Sequence, residues 1–101
     1  MIVVLFRSKL TSAAGDDYTA MDAEMMQLIQ QNPGFVDVKS YKAEDGERLT
    51  IVRFKDEETL KAWGAQERHR VAQSTGREKW YEYYKLETAK IIRTSEFERE
   101  A

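Results

Sequence analysis

Residues 63–84, WGAQERHRVAQSTGREKWYEYY, hold the chain's one histidine, both tryptophans and three of its five tyrosines. His69 is the first candidate for chemistry, because a lone imidazole titrates near neutrality and can accept or return a proton. The competing reading is structural: a hydrogen bond to a carboxylate such as Glu67 or Glu82 at a subunit seam. Trp63 lies three residues after Leu60 on an ordinary apolar helical face and reads first as core; the functional alternative is that its indole walls an aromatic pocket. Trp80, Tyr81, Tyr83 and Tyr84 head a β-like stretch. Strict alternation sends Tyr81 and Tyr83 to one face and Trp80 and Tyr84 to the other, so one pair can line a pocket while the other packs under helices. Tyrosine suits a pocket wall because its ring packs while its hydroxyl orients a ligand.

Arg53 interrupts an apolar run between Val52 and Phe54. Buried there, a guanidinium needs an anionic partner, a protein carboxylate or an acidic ligand; on a solvent-facing or dimer-facing side it needs none. Phe6 and Ser8 share one face of the first strand, Leu5 and Arg7 the other. Met21, Met25 and Met26 are adaptable core residues that also suit a bulky apolar ligand.

The composition excludes several classes. No cysteine is present, so a disulfide framework, a thiolate metal site and a cysteine nucleophile are ruled out, and one histidine is a poor basis for zinc. Sixteen basic against eighteen acidic residues argue against a general nucleic-acid binder. No glycine-rich phosphate loop or nucleophile elbow occurs. The opening MIVVLFRSKL has too short an apolar run for a signal peptide or a membrane span, so a cytoplasmic protein is expected.

The elements that must position these residues follow from periodicity. Residues 2–10 read as a central strand and residues 18–31, with Asp16 or Asp17 as cap, as a helix stopped by Asn32-Pro33-Gly34. Residues 35–43 and 48–54 read as strands joined at Asp45-Gly46 by a type I′ turn. Asp56 caps a short helix ending at Gly64, a second short helix ends at Gly76, and β character runs from Trp80 to about Ser95. The order βαββαβ is the ferredoxin-like split motif, an α+β fold with helices on one face of a four-stranded antiparallel sheet. The 101 residues form one domain, with the tail over 96–101 expected to fray. A strand of some 16 residues far exceeds the usual ~5–6 and predicts bending or pairing with another subunit.

Four features carry a family resemblance: Pro-Gly-Phe at 33–35, the Asp-Gly pair, Glu-Thr-Leu-x-x-Trp at 58–63, and His-Arg-x-Ala-Gln at 69–73 leading into Gly-Arg-Glu. From Ile2 to about Phe97 the chain resembles the antibiotic biosynthesis monooxygenase (ABM) domain family. The resemblance implies a homodimer in which two sheets close into an α+β barrel and the last strands exchange. It implies a pocket between sheet and helices of each subunit. It also implies oxygenation of a small aromatic substrate, such as an anthrone or quinol, without metal, flavin or haem. The catalytic residues would be His69, Arg53 and Trp63, with Phe6, Ser8, Tyr83 and Met25 against the substrate. A haem-degrading branch of that family carries an Asn on strand one, a Trp on the second helix and a His about three turns beyond. Here Trp63 matches, but Ser8 stands near the Asn position and Gln73 where the His would fall. Haem handling is thereby disfavoured. The alternative from another class is a non-catalytic dimeric ligand-binding or stress-associated protein, with His69, Arg70 and Glu78 at its interface.

Overall fold

Backbone pairing absorbs the apolar start of the chain on both sides. In the computed structural model, which describes residues 1–100, β1 (Ile2–Leu10) is antiparallel to both β3 (Arg48–Phe54) and β4 (Tyr81–Lys90). With β2 (Phe35–Lys42) outside β3, the sheet order is β2-β3-β1-β4. Helices α1 (Asp16–Ile29), α2 (Glu57–Ala65) and α3 (Glu67–Thr75) complete the expected βαββαβ order, with a π-helical turn, Gly76–Trp80, entering β4.

Ile2, Val4 and Phe54 from the sheet close on Ile29 of α1, and Phe35, Val52, Leu60 and Trp63 pack around them. Phe54, 1% exposed, is the most deeply buried large side chain. Burying each such group contributes roughly 1.5–3 kcal/mol.

Local chemistry decides the boundaries. Asp56 caps α2 as expected, its carboxylate accepting the Thr59 N–H at 2.9 Å. The α1 cap differs from expectation: Gly15 occupies it without a side-chain bond, and α1 stops at Ile29. Asp17 is instead drawn across to the π-helical turn, accepting Lys79 Nζ at 2.6 Å and Trp80 Nε1 at 3.1 Å. Asn32 ties the stop signal to α2, accepting the Gly34 N–H and donating to the Thr59 carbonyl, both at 2.8 Å.

Two further expectations are corrected. The β2–β3 turn is not type I′, because only Gly46 has positive φ, at 91°. Gly46 N–H donates to the Ala43 carbonyl and Ala43 N–H to the Glu47 carbonyl, the pattern of a type I turn closed by a glycine bulge. The last strand is ten residues long and ends at Lys90; residues 91–100 carry no regular secondary structure. β-Branched Ile91, Ile92 and Thr94 made the longer strand plausible, but the ladder with β1 ends at Ile2↔Lys90, beyond which the Ile91 N–H donates to the Met1 carbonyl at 3.0 Å and regular pairing stops. No helix among the described residues is long and apolar enough to cross a membrane.

Candidate active site

Alternation along β1 and β3 turns Val4, Phe6 and Ser8, and Arg48, Thr50, Val52 and Phe54, toward the helices. Between that face and the helices lies a cavity of about 420 Å³, within the usual range for small-molecule sites. Phe6, Ser8, Met25, Trp63 and His69, all proposed from sequence, line it together.

The α2–α3 junction builds one part of the wall. Extended backbone at Gln66 breaks the helix, and the Gln66 side chain caps α3 by accepting the His69 N–H at 2.9 Å. The break folds His69 back over Trp63, with ring centroids 4.4 Å apart and planes 21° from parallel. His69 Nδ1 lies 3.0 Å from the Trp63 carbonyl oxygen. A carbonyl only accepts, so Nδ1 carries the proton and donates, leaving Nε2 with a free lone pair. Burial pushes the imidazole pKa below its usual 6.5, against the smaller opposite pull of the Trp63 carbonyl. The ring is therefore neutral at pH 7 and able to accept a proton. No carboxylate holds it: neither Glu67 nor Glu82 is among its hydrogen-bond partners in the described residues.

The β4 end supplies an aromatic wall. Pairing with β1 shifts register between Lys9 and Leu10, so that Leu10 faces Tyr81 while Lys9 faces Tyr83. This bulge brings Tyr81 and Tyr84 to the same face, correcting the strict alternation expected from sequence. Both pack on Phe6, with centroids 5.6 and 5.8 Å away, and Tyr18 packs on Trp80 at 5.5 Å. Burial raises the Tyr18 and Tyr81 pKa values, so both phenols stay protonated.

Two sequence candidates stand elsewhere. Arg53 points to the opposite side of the sheet and forms a bidentate pair with Asp37 on β2, Nε to Oδ1 at 2.8 Å. A protein carboxylate satisfies it, and alternation removes it from the cavity. Tyr83 shares that outer side and donates its hydroxyl to Glu47 at 2.6 Å; that bond pushes its pKa up to about 12. Sequence reasoning missed Arg48, Tyr18 and Asp22 as lining residues. For Arg48 the signal was present: it shares the face of Phe54 by even spacing along β3.

A model of the family described as antibiotic biosynthesis monooxygenase matches residues 1–75. The chain belongs to the antibiotic biosynthesis monooxygenase family. Protein YqjZ of Bacillus subtilis, an uncharacterised protein, is 29% identical over 91 residues, covering 90% of this chain and 80% of YqjZ. SnoaB of Streptomyces nogalater, a cofactor-independent oxygenase, is a structural relative of this ABM chain with TM-score 0.76 at 15% identity. The superposition covers 92% of this chain and 94% of SnoaB. Rv0793 of Mycobacterium tuberculosis superposes with TM-score 0.80 at 14% identity, over 94% of this chain and 98% of its own. At such identities the structural likeness is one of fold.

Proposed function

We propose that this ABM protein is a cofactor-independent monooxygenase of a small aromatic, anthrone- or quinol-like substrate, working as a cytoplasmic homodimer. One observation carries the reading: a neutral imidazole, fixed through Nδ1 to the Trp63 carbonyl and with no hydrogen-bond partner at Nε2 among the described residues, lines an apolar, aromatic-walled cavity. Family membership and the likeness to SnoaB add support.

In this mechanism the planar substrate lies against the Trp63 and Phe6 side chains of the lining and displaces water from that apolar wall. His69 Nε2 takes the acidic proton of an anthrone CH₂. The resulting carbanion gives one electron to dioxygen; the radical pair joins as a peroxide anion, which takes the proton back from His69 and loses water to leave a carbonyl. The sum is R₂CH₂ + O₂ → R₂C=O + H₂O, with the substrate as reductant. Positioned general bases contribute about 10²–10⁴-fold, so His69→Ala should lower kcat by at least about 10²-fold. The test is oxygen uptake by purified protein across anthrones, quinols and catechols, with no added cofactor. Uptake tied to one compound and lost in a folded His69→Ala protein supports the oxygenase. Wild-type rates in that variant would refute the assignment of the base, and silence across the panel would move the reading to a ligand-binding protein.

A further inference from the structure

Arg48 is a half-buried guanidinium at the edge of a largely apolar cavity, and no carboxylate lies within 4.0 Å of it among the described residues. Its one side-chain hydrogen bond is a long contact from Nη1 to the Tyr18 hydroxyl at 3.5 Å. Arg53, five residues on, is satisfied bidentately by Asp37, and Arg68 by Glu24 at 2.6 and 2.8 Å. A guanidinium held beside apolar surface is stabilised by an anion, and its fork suits an oxyanion bidentately.

The surroundings favour the same ligand. Tyr18 and Tyr81 pack edge to face at 6.2 Å, and burial above all, with the Asp22 carboxylate adding to it against the smaller opposite pull of Arg48, keeps both protonated and able to donate. Two other charges share the neighbourhood. Asp22 of α1 lines the cavity but is exposed and forms no ion pair with Arg48, and Lys42 lies across from Arg48 on β2. Trp63, by contrast, packs at the Phe54 end of β3. Six residue steps along the strand, roughly 20 Å, separate Phe54 from Arg48. The cavity is therefore polarised along β3, from the tryptophan–histidine stack to a cationic end.

We propose that Arg48, with the Tyr18 and Tyr81 hydroxyls, is an anion-recognising subsite, and that the ligand of this cavity is an aromatic acid ionised at neutral pH. The inference rests on the same cavity as the oxygenase reading but concerns binding, not turnover. Anthraquinone-2-carboxylate and the isosteric, neutral anthraquinone-2-carboxamide provide the test, read by quenching of Trp63 and Trp80 fluorescence. A charge-assisted bond of the usual strength corresponds to at least about a tenfold preference for the carboxylate. Arg48→Gln should erase that preference and leave the carboxamide Kd within about twofold, and Arg48→Lys should restore part of it. Equal wild-type binding of the two probes, failure of the carboxylate to bind, or a preference surviving Arg48→Gln would each overturn the inference. The wild-type comparison decides the matter even if Arg48→Gln does not fold. Oxygen uptake is not read, so absence of turnover would leave a carboxylate preference standing, and loss of the preference would leave uptake on neutral anthrones standing.

Discussion

At the scale of single residues, His69 shows how two opposing effects are decided by burial. The carbonyl end of α2 favours imidazolium, but desolvation outweighs it and the pKa falls below 6.5. The unfolded chain thus binds a proton that the folded chain refuses in the window between the folded value and 6.5. There ν_U exceeds ν_N, so stability rises with pH, is complete above 6.5 and declines as pH falls through the window. Urea midpoints at pH 7.5, 6.5 and 5.5 should therefore drop more steeply for the wild type than for His69→Gln; parallel curves would refute the burial argument. That His69 is neutral follows from this environment, because a sequence gives the residue without its dielectric. Part of the position was legible, since Gly64 signals a helix end just before the segment that carries His69; the break itself falls at Gln66, a residue that reads from sequence as part of the second short helix.

Among elements, the π-helical turn carries Trp80 into the cavity wall. It is anchored to α1 through Asp17, whose carboxyl the Lys79 ammonium and then the Trp80 indole hold down to about 2, and to the end of β1 by Thr11 N–H donating to the Trp80 carbonyl at 2.7 Å. π-Turns often sit at functional sites. Gly76 begins it, and a Cβ there would come within 2.5 Å of Tyr81 Cε2. Gly76→Ala should therefore displace the Tyr81 ring and cost about 1–3 kcal/mol. In a Tyr81→Ala background the obstacle is gone, and the same change should be neutral or gain up to about 1 kcal/mol from helix propensity. Urea unfolding of the four proteins in the cycle checks this; additive effects would show that ring and glycine are not in contention. Helices, strands and the Asp56 cap were readable from period and cap chemistry. The β4 bulge was not, because it depends on register against β1, a partner some seventy residues away in the chain.

For the whole molecule, the outer side of the sheet is the open issue of packing. Val3, Leu5, Leu49 and Ile51 share that side across β1 and β3 with Arg7 and Arg53, flanked by Tyr41 and Tyr83 at 50% and 43% exposure. Among the described residues no helix covers it. A second copy placed face to face, as the proposed dimer requires, would bury a self-complementary surface of this kind. Sedimentation equilibrium at micromolar concentration should give twice the 11.8 kDa chain mass, and Ile51→Asp should return it to the monomer. A monomeric wild type would sink the dimer.

Period, caps and turn residues are local properties, and they sufficed for the βαββαβ order and the central place of β1; naming Phe6, Ser8, Met25, Trp63 and His69 as site residues also needed the family resemblance, and the structure places all five on the cavity wall. Which face of the sheet each strand residue occupies is not local. Once β3 and β4 took their registers, Arg53 and Tyr83 went to the outer side, and Arg48, Tyr81 and Tyr84 came in. A side-chain period of two makes each such assignment depend on a single residue of register, and only the tertiary pairing sets that register.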